Sequence, residues 1–371
     1  MYQNKLLLTK DSDEWTKLLE KTENPDIYFT PEYAKIYEYN YGKEIDEAFC
    51  GTSLLFFFGN KDEFVIYPLI KRKINDLPFM KQTKMPPLFD VISHYGYGGL
   101  LVKCDNKKNE KQLLKKFLAT FNKLCIENNM VTEFIRFHPL INNHDILIDL
   151  IPIDKRNSTV YIDLTQDEQT ILKNMNKKTR NLIRKAEKNN VEIKLSTNKK
   201  DVAIFTDLYL QTMRKNKADK KYFFPLDFFK NTINLLNGNI SLFTAKYDGE
   251  IIAASLFMHK YDSLHYHFSG SNKNFMNLAP NNLLLWEVAL WGKKQGYKRF
   301  HLGGGSSDED GLFHFKSGFS KNQSAFYTSS IIHNKKIYDQ LCLLKDNFEI
   351  RERKVFINSD FFPSYRKIVR E

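Results

Sequence analysis

The residues of this 371-residue chain best suited to chemistry lie late in it, in the run HLGGGSSDEDGLFHFKSGFS over 301–320. Gly303-Gly304-Gly305 ends an expected strand, and glycine permits tight turns and close backbone approach to a ligand. Three consecutive glycines are not the dinucleotide fingerprint, which needs GxGxxG opening a helix; a plain flexible turn is the alternative. Lys316 follows, between Phe315 and Ser317-Gly318. A lysine in such a setting can be held toward a cleft, where it binds phosphate or stabilises a developing oxyanion. His265 and His267 alternate along SLHYHFSGS, which predicts that they share one face of a strand. No third or fourth ligand stands nearby, so no metal site is expected. No GxxxxGK[ST] loop, HExxH, EF-hand loop, GxSxG elbow or clustered Cys/His set occurs.

A second concentration of chemistry is basic. The stretch 166–189, QDEQTILKNMNKKTRNLIRKAEKN, reads as one helix, with Thr165 as N-cap and Glu168 at the capping-box spacing. Ile171, Leu172, Met175, Leu182, Ile183 and Ala186 fall near one face. Over 173–188, Lys173, Lys177, Lys178, Arg180, Arg184, Lys185 and Lys188 stand against one acid, Glu187. Such a face is either simply solvated or turned toward a polyanion, with Lys177 and Arg180 as candidate contacts.

The elements that must position these residues repeat. Ser53–Ile70 and Ser241–Met258 each read as two apolar runs joined by a turn, the second through Asp248-Gly249, a pair suited to a tight hairpin. A helix follows each: 110–129, with Leu113, Leu114, Phe117, Leu118, Phe121, Leu124 and Cys125 on one stripe, and 282–295, ended by Gly296. A strand then follows each, and both strands contain Arg-Phe-His, at 136–138 and 299–301. Hairpin, helix and strand occurring twice predict an α/β (α+β) fold of two duplicated units with mixed sheets flanked by helices. The seam is placed near Ile151–Asn157, giving units over 1–155 and 156–335 and a C-terminal helical tail, 336–371, packed on the body.

The length suits about two domains, and 42% apolar residues exclude a disordered chain. The net charge of +12 is compatible with nucleic acid, nucleotide-sugar diphosphates and anionic lipid heads, or with a compositional bias alone. Cys50, Cys104, Cys125 and Cys342 form no CxxC pair, which points to reduced thiols in a cytoplasmic protein. The N-terminal MYQNKLLLTKDSDEW carries too short an apolar run for a signal peptide, and the longest run, Ile251 to Met258, is far short of a membrane span.

The run APNNLLLWEVALWGKKQGYKRFHLGGG, continued by GLFHFKSGFS, resembles the C-terminal half of the FemABX family, the peptidoglycan-bridge aminoacyltransferases related to GNAT acetyltransferases. NMNKKTRNLIRKAEKNNVEI resembles the start of that family's second half, and HYGYGGLL and FIRFHPL resemble its first half, so the resemblance covers most of the chain. It implies two tandem GNAT-like subdomains with the acceptor in a cleft. It implies that Lys316 and Phe315 correspond to a cleft-lining Phe-Lys pair, Arg180 to a phosphate contact, Tyr97 to an aromatic of the first-half glycine loop, and Tyr266 and His267 to a strand facing the cleft. Arg136, Gly303 and Gly304 complete the candidate substrate-binding set. The chain departs from the pattern after the first glycine loop, where Val102 and Lys103 replace an expected acidic residue. The long coiled-coil arm of some family members is also missing, residues 197–240 reading as short and irregular.

The implied reaction is attack of an amine on an activated carbonyl, with no tightly bound cofactor and no general base identified. An aminoacyl-tRNA is the favoured co-substrate and an acyl-CoA the alternative. SNKNFMNLAPNNLLLWEVA, over 271–289, occupies the place of a pyrophosphate-binding loop; it has no glycine after Gly270, and Pro280 removes one N–H. The acceptor is expected to be an amine of a nucleotide-linked or lipid-linked envelope precursor, with peripheral membrane association as an added expectation. The rivals are an acyl-CoA-dependent N-acetyltransferase acting on an amino sugar of a surface polysaccharide, and a non-catalytic binding module for tRNA or an anionic precursor.

Overall fold

The computed structural model describes residues 2–81, 83–353 and 361–367. Its strands are β1 (Gln3–Leu8), β2 (Thr52–Gly59), β3 (Phe64–Lys73), β4 (Phe89–Ile92), β5 (Leu101–Lys103), β6 (Met130–Arg136), β7 (Asp154–Asp163), β8 (Glu192–Leu195), β9 (Ile240–Tyr247), β10 (Glu250–Lys260), β11 (Ser263–Ser271), β12 (Arg299–Gly303) and β13 (Gln323–Ile332). The helices are α1 (Ser12–Leu19), α2 (Pro31–Ile36), α3 (Lys43–Phe49), α4 (Lys107–Glu127), α5 (Glu168–Asn174), α6 (Lys177–Lys188), α7 (Asp201–Lys215), α8 (Leu226–Leu235), α9 (Pro280–Lys294), α10 (Gly311–Ser317) and α11 (Lys335–Arg353). Strands alternate with helices, as the α/β reading expects, and both parallel and antiparallel pairs occur.

The chain forms two compact units. One holds Met1–Asn40, Phe49–Lys155 and Tyr327–Glu371; the other holds Tyr41–Ala48 and Arg156–Phe326. In the first, β2 and β3 form an antiparallel hairpin, β3 pairs with β4, and β4 runs parallel to β6. Helix α4 crosses between that parallel pair and buries Leu113, Leu114, Phe117, Phe121 and Cys125 against Phe56, Phe58 and Tyr67 of the sheet. In the second unit, β9 and β10 form the hairpin through Asp248 (φ 47°) and Gly249 (φ 81°), both left-handed as a two-residue turn of this kind demands. There β10 pairs with β11, and β11 runs parallel to β12 across α9. The order hairpin, strand, helix, parallel strand is therefore built twice.

Helices clothe the second sheet. Ile183 and Ala186 of α6 join Leu284, Val288 and Ala289 of α9 and Leu264, Phe300 and Leu302 of the strands in one core. Helix α7 packs on β11, where Gly270 lies so close to the backbone of Leu208 and Tyr209 that a Cβ would collide with it. The stretch 197–240, expected to be irregular, instead forms α7 and α8; Tyr209 of α7, Phe228 and Phe229 of α8 and Phe224 between them stand edge-to-face to Phe268, and Phe205 stands edge-to-face to Phe229. Neither helix is long enough for a coiled-coil arm.

The single helix expected over 166–189 is two. Helix α5 is capped by Asp167, not Thr165, and α6 by Asn176, whose side chain accepts from Thr179 N–H at 2.7 Å. Met175, extended at ψ 147°, separates them. In the segment 336–371, α11 buries Leu341 beside Ile74 and Leu77 of the first unit, and Tyr365 joins the same cluster. Residues 354–360 and 368–371 lie outside the described residues. Among the described residues no helix is long and apolar enough to cross a membrane.

Candidate active site

The second unit's sheet opens where the chemistry was expected. Strands β11 and β12 pair at three positions only, Ser263 with Arg299, Leu264 with Phe300 and His265 with His301. Beyond them β11 continues from Tyr266 to Ser271, while β12 follows β7 to its end at Gly303. The two parallel strands therefore part after His265 and His301, leaving the β12-facing backbone edge of Tyr266–Ser271 without a ladder partner in β12.

Lys316 stands at this parting. It is only 8% exposed, its Nζ donates to the Gly304 carbonyl at 2.7 Å, and the same atom lies 5.8 Å from the centre of the Tyr266 ring. Burial pushes its ammonium down to about 8, against a small upward pull from the Asp310 carboxylate. Tyr266 is stacked on Phe257 at 5.6 Å, and burial raises its hydroxyl above the ordinary range. Phe315, the other half of the Phe-Lys pair, packs into the second unit's core with its ring edge-on to Phe319.

The glycine turn that receives Lys316 is pinned, which removes the plain flexible-turn reading. Gly303 is left-handed at φ 76°, and a Cβ on Gly304 would sit 2.6 Å from the Ser158 carbonyl of β7. Asn157 Nδ2 donates to the Gly305 carbonyl at 2.7 Å. Asp310 then ties the turn to α10: its carboxylate accepts from the Ser306 hydroxyl at 2.8 Å, from Ser306 N–H, and from Phe313 N–H at 2.6 Å as the N-cap. Partial burial would raise the Asp310 carboxyl, but these hydrogen bonds outweigh it and hold it below its usual value. Asp310 positions the lysine's helix and was missed in the sequence, although Asp followed by Gly before an apolar run is an N-cap signature.

The histidines differ from expectation. Between β10 and β11 the register passes from Leu256 opposite Phe268 to Phe257 opposite Tyr266, so His267 is the extra residue of a bulge and the simple alternation with His265 is broken. Burial, aided by neighbouring His265, holds His267 down to about 3, so it is neutral. His265 instead meets His301 across the last paired position, the two Nδ1 atoms 3.4 Å apart and both rings buried. His301 was visible only as part of the Arg-Phe-His repeat, since cross-strand register cannot be read from one strand.

Arg180 and Lys177 lie on α6. Arg180 turns back on α5, its NH1 donating to the carbonyls of Met175 and, at 3.4 Å, Lys173. Lys177 is exposed in the first turn. The chain after Lys316 meets this turn: Asn176 N–H donates to the Gly318 carbonyl at 2.9 Å, and Gly318 lies against the Thr179 hydroxyl.

Tyr97 and Arg136 lie in the first unit, at the counterpart of the strand parting. There the chain closes it: Gly98 N–H donates to the Arg136 carbonyl at 2.7 Å, and Arg136 N–H donates to Ser93 Oγ at 3.0 Å. The Arg136 guanidinium donates to the His94 carbonyl at 2.9 Å, and its Nε is buried with no partner among the described residues. Tyr97 stands edge-on to Tyr28 at 5.3 Å and to His138 at 5.5 Å, and burial raises its hydroxyl far above the usual range. The open parting thus belongs to the second unit.

Residues 173–317 match the family model described as an acetyltransferase (GNAT) domain. The fold is similar to the crystal structure of FemX, with a TM-score of 0.67 at 14% identity over 91% of this chain and 99% of that one. It is also similar to the C-terminal domain of a putative lysylphosphatidylglycerol synthetase from Agrobacterium fabrum (TM-score 0.51, 12% identity, 92% and 96% covered). L-PGS from Bacillus licheniformis is a third (TM-score 0.50, 13% identity, 88% and 93% covered). The curated proteins searched contain no match. Residues 173–317 thus match a GNAT domain model within a fold similar to that of FemX, in line with the FemABX- and GNAT-like resemblance read from the sequence.

Proposed function

We propose that this protein is an N-acyltransferase that moves an aminoacyl group from an aminoacyl-tRNA to an amine of a nucleotide-linked or lipid-linked cell-envelope precursor, in the cytoplasm or at its membrane face. The observation that carries the reading is the buried Lys316 ammonium at the parting of β11 and β12. For a carbonyl bound at the parting, Lys316 supplies a cation for the oxyanion or for a donor phosphate. The amine attacks the carbonyl carbon, the C–O bond to the donor sugar breaks, and the proton lost by the amine ends on the departing oxygen. Tyr266 and the Gly303-Gly304 turn hold the lysine, Arg180 and Lys177 on α6 are the candidate contacts for a donor phosphate, and Tyr97 and Arg136 of the first unit are candidate substrate contacts. The resemblance to peptidoglycan-bridge aminoacyltransferases supports this choice of acceptor.

The loop before α9 supports RNA over CoA as donor. Residues Lys273–Leu278 form a 3-10 turn, Ala279 is left-handed at φ 56°, Pro280 opens α9 without an N–H, and Asn282 N–H is already given to the Ala279 carbonyl at 3.1 Å. Few amides remain there to cradle a pyrophosphate. The acetyltransferase domain match favours the second reading, an acyl-CoA-dependent N-acetyltransferase acting on an amino sugar. Label transfer from a mixture of charged tRNAs, set beside label transfer from acetyl-CoA, separates the two, and transfer from neither would leave a binding module.

A further inference from the structure

Helix α6 carries more positive charge than a contact of Lys177 and Arg180 with one donor phosphate would use. Lys177, Lys178, Arg184, Lys185 and Lys188 are all exposed, and among the described residues none of the five has a carboxylate partner. Lys177, Arg184 and Lys188 are spaced by seven and then four residues, so they fall on one line along the helix, with Lys178 and Lys185 beside it. At 1.5 Å per residue this stripe runs about 16 Å. Surface lysines commonly find a local acid; here six cations in twelve residues, Arg180 included, share only Glu187 on their own helix.

The stripe begins beside the segment that carries the lysine. The cap of α6, Asn176, is bonded to Gly318, two residues beyond Lys316, and Thr179 of the first turn touches Gly318. A polyanion lying along α6 would thus have one end next to that segment. A donor whose charge is confined to one pyrophosphate would meet only a single turn of such a stripe. The inward face of α6, with Thr179, Ile183 and Ala186, is consumed by the core, which leaves no apolar stripe for a bilayer, as an interfacial helix requires.

We propose that the solvent face of α6 is a docking rail for the sugar-phosphate backbone of an RNA whose acyl-bearing end reaches the β11–β12 parting. This rests on the aminoacyl-tRNA reading, but its test needs no turnover. Fluorescence anisotropy with deacylated bulk tRNA and the full chain is measured over a salt series. Wild type binds, and its log affinity falls linearly with log salt. K177E/R184E/K188E binds about tenfold or more weakly with a shallower salt slope, each lost phosphate contact removing about 0.7–0.9 from it. The neutral K177Q/R184Q/K188Q lies between, which excludes misfolding of the reversed variant as the cause. Either triple variant binding tRNA with wild-type affinity and slope overturns the rail. So does wild type that binds phosphatidylglycerol-containing vesicles through these residues but not tRNA. If tRNA docks on α6 and charged tRNA gives no product, the transferase reading falls and the rail stands; if product forms and the variants bind unchanged, the reverse holds.

Discussion

Burial gives Lys316 its two measurable signatures. Its ammonium is held down to about 8, whereas an unfolded lysine sits at about 10.4. The folded chain therefore binds fewer protons than the unfolded chain between those values, and stability rises with pH through that window. Activity moves the opposite way, because a lysine acting as a cation loses its charge as pH passes upward through about 8. The turnover rate should fall on that limb, and K316R, charged throughout, should lose the limb while retaining part of the rate. K316A should lower turnover by ~10²-fold with the fold intact, as removal of one oxyanion donor does; a pH–rate profile and a melting curve check both. Lys316 was legible because lysine, aromatic and glycine types cluster in sequence. The Lys316–Gly304 hydrogen bond, the Gly304–Ser158 contact and the His265–His301 pair were not, because each depends on which strand lies beside which.

At the scale of elements, the hairpins, α4 and α9 were readable, since each has one unambiguous apolar period and a turn or glycine that ends it; Gly296, left-handed at φ 89°, stops α9 as expected. The break between α5 and α6 was hidden because Asn176 sits in a run of cations that continues the helical period on both sides. Helices α7 and α8 were hidden for another reason: Asn216 and Pro225 between them and Gly238 after them read as loop punctuation until their aromatic faces meet across Phe268. Gly270 joins α7 to β11, and Gly270→Ala should force them apart at a cost of about 1–3 kcal/mol, the usual range for overpacking. Urea denaturation reads this, and unchanged stability would show that the contact relaxes freely. Since β11 forms one side of the parting, the same substitution should also lower turnover.

Across the whole molecule, distant chain segments are tied within the first unit by a buried ionic group. Asp90 accepts from Arg72 Nε at 2.8 Å and from Arg366 Nε, while the Tyr365 hydroxyl reaches Asp90 at 3.3 Å and Thr132 at 2.7 Å. Burial alone would raise the Asp90 carboxyl, yet Arg366 and Arg72 outweigh it and hold it below its usual value. Its contribution is then present above about pH 4 and is lost as pH falls through the depressed value. Asp90→Asn should cost about 3–5 kcal/mol, as breaking a buried ion pair does; a thermal melt at neutral pH close to that of wild type would contradict this. One unit holds an open strand parting and the other a stitched one, and acyl transfer is proposed at the open one. The direct test is transfer of a labelled acyl group to an envelope-precursor amine by the full chain, with mixed charged tRNAs or acetyl-CoA as the donor. Labelled product is expected from charged tRNA, abolished by ribonuclease and reduced ~10²-fold in K316A. Product formed from acetyl-CoA alone, or tRNA-dependent product at an undiminished rate in K316A, would contradict it.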